Sequence, residues 1–343
     1  MRLRVGFIGC GRILEMHGNA IGRMSDVEVV AVCDIVESRA IEASKLYGGK
    51  VYTDYLDLFA NESMDLVHLC LPHNLHSIVG IIAAQHGVHV LTEKPLDVSY
   101  ERAKLLVDAC DDAGVKLGVI FQNRYRKTNV QMFDMIRSGD FGKVLGARMS
   151  LSWLRTEEYY HSTNWKGFWA TEGGGVIIDQ AIHTLDFINW VLGGDIKSVD
   201  AYIANRHHPS IEVEDIAEGV ILYKEGFQFS FHAFNYYSYD AEVMAEIQTE
   251  KATFRMIGSL LEIISNNGEV VRVDISLDDV LENQSANKAY WGTTHFDQIN
   301  EFYSYVRGDS ESIGVDGHEA LKTQGLVEAI YRAGKSGKTV KIS

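Results

Sequence analysis

The chain lacks the features that mark several classes of protein. It has four cysteines in 343 residues, Cys10, Cys33, Cys70 and Cys110, far apart and with no Cys-x-x-Cys pair. That excludes a disulfide-stapled scaffold and a cysteine-based zinc module. No apolar run approaches the ~18 residues of a membrane span, so no membrane partner is expected. No dense Lys/Arg run relieves an acidic balance of 32 Lys+Arg against 47 Asp+Glu, a formal −15. Nucleic acid and anionic membrane surfaces are therefore not expected partners. Only three prolines occur, and Pro72 and Pro95 both follow strand-like apolar runs. The first residues run straight into a strand and a glycine turn without an apolar leader. With the cysteines read as small buried thiols, this gives the expectation of a cytoplasmic, reduced protein.

What is present is ordinary globular material: 46% hydrophobic and 23% charged residues, at a length that suits about two domains. Through residue 121, apolar runs alternate with helical patterns. Strands are expected at 3–8, 27–33, 50–52, 65–71, 88–92 and 115–120, and helices at 12–24, 37–47, 54–60, 75–86 and 99–113. Six strands separated by crossovers read as a doubly wound parallel sheet, an α/β Rossmann domain over residues 1–121.

Gly9-Cys10-Gly11-Arg12-Ile13-Leu14 follows the first strand and opens the first helix. Gly9 allows a tight turn, and Gly11 lets the backbone approach a pyrophosphate at the helix N-terminus, with Arg12 and Ile13 beside it. Leu14 stands where this fingerprint usually has a third glycine or alanine. Asp34, at the end of the second strand, is placed to accept from a ribose 2′-OH and to repel a 2′-phosphate, which favours NAD over NADP. A helix N-cap is the plainer reading of Asp34. The loop Cys70-Leu71-Pro72-His73-Asn74-Leu75-His76 is expected to pass along the dinucleotide. Its two histidines have no third ligand nearby, so no metal site is expected.

The strand at 88–92 stops at Glu93-Lys94-Pro95. Ligands of open α/β sheets bind beyond the carboxyl ends of strands, which puts Lys94 where cofactor and substrate would meet. Alone, Glu93-Lys94 is as readily a surface ion pair.

The second domain, 122–343, begins with a linking helix at 128–138 and a long strand from Lys143 to Thr156. Four of the five tryptophans (Trp153, Trp165, Trp169 and Trp190) fall between 153 and 190, around a polar, aromatic loop at 157–169. Aromatic faces beside hydroxyls and amides suit a polyol; Trp190 reads as core packing. After Gly173-Gly174-Gly175 an apolar helix carries Asp179 and His183, four apart and so on one face; Asp186 reads as structural. From 196 onward long strands are expected at 196–206, 213–224, 227–238, 241–249, 252–257, 259–265 and 269–275, with hairpin turns at Lys224-Glu225-Gly226 and Asn266-Asn267-Gly268. Helices near 295–307 and 317–334 would cover only part of such a sheet, so self-association is expected.

Gly9-x-Gly11 with Asp34, the Pro72 to His76 loop, Thr92-Glu93-Lys94-Pro95, Arg124, and Gly173 through Asp179-x-x-x-His183 resemble the Gfo/Idh/MocA oxidoreductases. The resemblance covers residues 3–240 well. It implies an NAD(P)-binding Rossmann domain joined to a C-terminal α/β domain with a large, mainly antiparallel open sheet, a homodimer or homotetramer, and a Lys94-Pro95 bond that is cis. The implied cofactor contacts are Gly9, Gly11, Arg12, Ile13, Asp34, Leu71, Pro72, Asn74, His76, Glu93 and Lys94. The expected reaction is reversible oxidation of a secondary alcohol of a sugar, sugar derivative or cyclic polyol, with hydride passing to NAD. His183 would be the general base, held by Asp179, while Lys94 steadies the reacting oxygen. Arg124, Tyr160, Asn164 and Trp165 are expected substrate contacts. An alternative keeps the cofactor but makes the protein a glycoside hydrolase, through transient C3 oxidation and elimination.

Overall fold

The computed structural model describes residues 2–273 and 294–342. The chain divides into two compact units, residues 2–122 with 294–324 and residues 123–273 with 325–342.

In the first unit, β1 (Leu3–Ile8), β2 (Val27–Cys33), β3 (Lys50–Tyr52), β4 (Leu66–Leu69), β5 (His89–Thr92) and β6 (Leu117–Val119) make one sheet. Its order is β3-β2-β1-β4-β5-β6, and every neighbouring pair is parallel. The crossovers are α1 (Leu14–Gly22), α2 (Glu37–Tyr47), α3 (Tyr55–Asn61), α4 (His76–Gln85) and α5 (Tyr100–Ala113). Asp54 caps α3 and Ser99 caps α5, each side chain accepting a first-turn N–H, and left-handed Gly114 ends α5, as capping chemistry requires. The strand order reverses between β1 and β4, the switch point at which open sheets bind their ligands.

The boundary differs from the 122–343 assignment. The helix α9 (His295–Arg307) buries Ile299, Phe302 and Tyr303 in the core formed by Val5, Phe7, Leu66 and Leu91. Gly118 makes room for it, since a Cβ there would lie 2.6 Å from the Phe302 ring. The chain after α9 then runs along β6, where Val119 N–H donates to the Val315 carbonyl at 3.2 Å. Residues 294–324 therefore complete the dinucleotide-type unit, because the apolar face of α9 has its complement there. The last helix is α10 (Gly317–Ser336).

The second unit contains α6 (Lys127–Arg137), β7 (Val144–Ser152), α7 (Glu157–His161), a π-helical turn (Val176–Ala181) and α8 (Ile182–Leu192). Then come β8 (Ile196–Ala204), β9 (Ile216–Tyr223), β10 (Gln228–Phe234), β11 (Met244–Thr249), β12 (Ala252–Ile257), β13 (Leu260–Ser265), β14 (Val270–Val273) and β15 (Val340–Lys341). The sheet order is β14-β13-β12-β11-β7-β10-β9-β8-β15. It is mixed: β7 and β10 pair in parallel and the other neighbours are antiparallel.

Both hairpins form where the turn residues place them, with Gly226 and Gly268 at positive φ. The strand expected at 143–156 ends at Ser152, and the loop expected at 157–169 opens with α7. Thr156 caps that helix, its side chain accepting from Tyr159 N–H. Of the strand expected at 269–275, residues 274 and 275 lie outside the described residues. A charged ladder crosses the strands β7, β11, β12, β13 and β14. Glu246 accepts from Arg148 at 3.0 Å and from Arg255 at 2.8 Å, and Glu262 from Arg272 at 2.9 Å.

Candidate active site

The dinucleotide turn is built as its residues dictate. Gly9 sits at φ +93°, and a Cβ there would meet the Cys70 carbonyl at 2.2 Å, so only glycine fits between β1 and the loop after β4. At Gly11 a Cβ would meet nothing within 4 Å, leaving the backbone open to a ligand. No side chain caps the start of α1, which leaves its first N–H groups and positive dipole end facing Gly11, Arg12 and Ile13. Leu14 does not disturb the turn; it is buried in the core with Val5 and Phe7.

Asp34 does two jobs. Its Oδ2 accepts Cys10 N–H at 2.8 Å and its Oδ1 accepts Val36 N–H at 2.8 Å. Each oxygen retains a second lone pair for a ribose hydroxyl. It is not the N-cap of α2, whose cap position is Val36 without a side-chain bond. These features fit an NAD molecule.

The loops after β4 and β5 are tied together. The Lys94-Pro95 bond is cis. His76 is fully buried, with Nδ1 2.6 Å from the Pro95 carbonyl and Nε2 2.9 Å from the Leu71 carbonyl. Asp97, also fully buried, accepts from Ser77 N–H at the start of α4 and from Arg102 Nε at 2.9 Å. His76 therefore holds the Leu71–Pro72 turn against the Glu93–Pro95 turn, and its ring is not available to a cofactor. Arg102 donates in addition to the Asn74 carbonyl. Glu93 also turns inward: its carboxylate lies 3.1 Å from His17 Nε2 and accepts the Lys94 backbone N–H at 3.3 Å. Lys94 itself is half-buried.

In the second unit the centre of the site is Asp179. Its Oδ2 accepts from Tyr159 OH at 2.6 Å, Lys166 Nζ at 2.6 Å and Gln180 Nε2 at 3.0 Å. Lys166 also lies 3.4 Å from Glu172 Oε1, with its ammonium over the Tyr159 and Trp165 rings. Burial works to lower the Lys166 pKa, but Asp179, Tyr159 and Glu172 outweigh it and hold the ammonium well above its ordinary value. Burial pushes Glu172 up, with Asp179 adding to it and Lys166 opposing.

Asp179 and His183 were expected one turn apart on an α-helix. Asp179 instead lies in the π-helical turn Val176–Ala181, and His183 in the first turn of α8. Such wide turns often accompany functional sites. The reason is visible in the glycine run ahead of it. A Cβ on Gly174 would lie 1.9 Å from Tyr331 OH, and one on Gly175 would lie 1.9 Å from the Glu214 carbonyl. Glu214 is buried under this turn, accepting from Gly175 N–H at 2.8 Å, Ile177 N–H at 3.0 Å and Tyr331 OH at 3.0 Å.

The expected substrate contacts divide. Tyr160 is 2% exposed and its hydroxyl accepts from Asn235 Nδ2 at 2.7 Å, within a core of Ile211 and Val213. The helix α7 turns Tyr159, not Tyr160, toward Asp179. Arg124 is committed to Asp186, with Nε–Oδ2 at 2.8 Å and Nη2–Oδ1 at 2.6 Å in a buried pair, and its guanidinium lies over Trp190. Trp190 stacks on Phe133 at 4.0 Å, as a core residue does. Asn164 is exposed and, with Lys166 and Phe168, lines a concavity of about 320 Å³. Trp165 is half-buried.

Reading the sequence missed Lys166, Tyr159, Glu172, Glu214 and Tyr331. A lysine, a tyrosine and a glutamate in and beside an aromatic loop were a usable signal for the first three. Nothing local marked Tyr331, which lies 152 residues beyond Asp179.

Residues 3–121 match the oxidoreductase family with an NAD-binding Rossmann fold, and residues 130–255 match the GFO/IDH/MocA C-terminal domain. Inositol 2-dehydrogenase of Salmonella typhimurium is 29% identical over 238 residues, 66% of this chain and 68% of that protein. D-glucoside 3-dehydrogenase of Escherichia coli is 25% identical over 360 residues, 99% and 97% of the two chains. The structure of the WlbA dehydrogenase from Bordetella pertussis, in complex with NADH and UDP-GlcNAcA, aligns with a TM-score of 0.87 at 29% identity, covering 100% of this chain and 99% of that one. With these two models matching well over half of its length, the chain belongs to the GFO/IDH/MocA family of NAD-dependent oxidoreductases.

Proposed function

We propose that the protein reversibly oxidises a secondary alcohol of a sugar, sugar derivative or cyclic polyol to a ketone. The observation that carries this is the presence, in one chain, of a dinucleotide turn and of an Asp179 carboxylate gripped by Lys166 and Tyr159 at the head of the helix that bears His183. Bound NAD supplies the acceptor for the two electrons of the alcohol. The backbone of Gly9, Gly11, Arg12 and Ile13 holds its pyrophosphate and Asp34 its ribose, while Leu71, Pro72, Asn74 and Lys94 flank it.

His183 removes the hydroxyl proton. Lys94 donates to the reacting oxygen and steadies the charge that grows there. Asp179, paired with Lys166, orients the polar groups around it. Asn164, Trp165 and Tyr159 present amide, ring face and hydroxyl to a polyol. The Tyr160 to His183 segment, with Trp165-Lys166-Gly167-x-Trp169 ahead of the three glycines, accords with a substrate that is a nucleotide-linked or free aminosugar or a glycoside oxidised at C3. The open face of the nine-stranded sheet, with its charged ladder and exposed Tyr202, accords with a homodimer or homotetramer. The four free cysteines suit a cytoplasmic location.

The test is a panel of monosaccharides, inositols, glycosides and nucleotide sugars, UDP-GlcNAcA included, offered with NAD⁺ and with NADP⁺ while NADH absorbance is followed. NADH formed in step with a ketone is the expected result. Release of an aglycone without net NADH would sink the proposal, and a preference for NADP⁺ would overturn the reading of Asp34.

A further inference from the structure

Beneath Glu93 lies a line of buried polar groups that the proposed reaction does not use. His17 on α1 and His68 on β4 are both fully buried and face each other, Nδ1 to Nδ1, at 2.7 Å. His17 Nε2 lies 3.1 Å from Glu93 Oε1, and His68 Nε2 lies 2.9 Å from the hydroxyl of Tyr303 on α9. Other charged or titratable neighbours among the described residues surround this line. His295 Nε2 is 3.8 Å from Glu93 Oε1, Lys94 is next in sequence, burial and then Glu93 hold the Cys70 thiol pKa well above its ordinary value, and Arg307, paired with Asp26, lies over the Tyr303 ring.

We propose that His17, His68 and Tyr303 are positioning residues for the Glu93-Lys94 turn, forming one aligned hydrogen-bond chain that ends on Glu93 and takes up a single proton by reversing its direction. The inference rests on the dehydrogenase reading for the role of Lys94. Its geometry stands apart from that reading.

Two nitrogens 2.7 Å apart must share one proton and one lone pair between them. With both rings neutral, only one arrangement satisfies every contact. Tyr303 O–H donates to His68 Nε2, His68 Nδ1–H donates to His17 Nδ1, and His17 Nε2–H donates to Glu93. Adding one proton gives a second complete arrangement. His17 then donates from both nitrogens, to Glu93 and to His68 Nδ1, and His68 donates from Nε2 to the Tyr303 oxygen. Every link survives in both states, so the uptake of a proton breaks no bond. A polar core that served packing alone would need only one of the two states.

The added proton belongs on His17. Burial, and then His17 itself, hold the His68 pKa well below its ordinary value. Burial works to raise the pKa of Glu93, but His17, His295 and Lys94 bring it down to about 2, so the chain ends on a carboxylate. That carboxylate accepts the backbone N–H of Lys94, which links the state of the chain to the placement of the lysine.

The test uses full-length protein with NAD⁺ bound and ¹⁵N-labelled histidine, assigned with His17→Asn and His68→Asn. Long-range ¹H–¹⁵N spectra read the tautomer of each ring against pH. We expect His17 with its proton on Nε2 and His68 with its proton on Nδ1 at alkaline pH. In one shared step on acidification, His17 becomes doubly protonated and the His68 proton moves to Nε2. Tyr303→Phe removes only the terminal hydroxyl. It unpairs the His68 Nε2 lone pair in the neutral chain and the His68 Nε2–H, polarised by the added charge, in the protonated chain; the charge-assisted bond is the stronger of the two, so the shared step moves to lower pH. The acid limb of kcat/KM moves with it, while NAD⁺ affinity holds.

Two rings that titrate separately, His68 protonated on Nε2 throughout, or a Tyr303→Phe protein that folds with the step and the rate profile unmoved would each overturn the proposal. Should no alcohol yield NADH, the dehydrogenase reading fails and the spectra still decide the chain.

Discussion

Replacing Glu214 with glutamine should change how the stability of the protein depends on pH. Glu214 is 2% exposed and receives two backbone N–H bonds and the Tyr331 hydroxyl. Burial is the largest influence and pushes its pKa up from 4.5 to about 7, against the opposing pull of those hydrogen bonds. In the unfolded chain the carboxyl loses its proton near its ordinary value, whereas the folded protein keeps it until about pH 7. Between those points the native state binds the extra proton, so stability falls as pH rises.

The shift of ~2.5 units at ~1.4 kcal/mol each comes to about 3 kcal/mol. Glutamine has no such proton. It also loses an acceptor at Gly175 or Ile177, which costs ~1–3 kcal/mol at every pH. Urea unfolding followed by tryptophan fluorescence is the assay, because Trp153, Trp165, Trp169 and Trp190 lie in the same unit. The stability of wild type relative to Glu214→Gln should be greatest near pH 4.5 and decline by about 3 kcal/mol by pH 7–8. A difference that stays constant over this range would refute the argument.

Other substitutions test other parts of the structure. Arg124→Met leaves Asp186 charged and buried and should cost ~3–5 kcal/mol, while Arg124→Met with Asp186→Leu should return close to wild-type stability in the same urea assay. Tyr159→Phe should lower kcat with little loss of stability; Tyr160→Phe should cost ~1 kcal/mol and leave kcat near wild type, because only the first hydroxyl reaches Asp179. Asp34→Ala should weaken NAD⁺ binding at least ~10-fold in a fluorescence titration, since ~1.4 kcal/mol of lost ribose contact suffices for that. It should also narrow the discrimination against NADP⁺.

The first unit was legible because its signals are local. Short buried strands, Gly9, Gly11 and Asp34 each announce their role within a few residues of sequence. Its boundary was not legible, since α9 returns to that unit through an amphipathic face whose complement lies some 200 residues earlier. The site in the second unit was half legible. Asp179 and His183 stood out as polar residues on an apolar helix. The π turn that carries Asp179 arises from the close approach of Glu214 and Tyr331 to Gly174 and Gly175, and no periodicity encodes that. Tyr159 and Tyr160 are adjacent, and which one faces Asp179 depends on where the cap at Thr156 starts α7. Arg124 was expected to contact substrate, and its buried partner is Asp186, 62 residues on, a pairing that no local pattern announces.

The central claim is that Lys94 and His183 act on the alcohol, and one set of rates tests it most directly. With the alcohol identified by the panel, kcat/KM for NADH formation is measured for wild type, Lys94→Ala and His183→Ala, alongside the NAD⁺ dissociation constant of each. The account predicts losses of ~10²–10⁴-fold in kcat/KM for both variants, with NAD⁺ affinity within a few-fold of wild type. Retention of wild-type kcat/KM by either variant would contradict it.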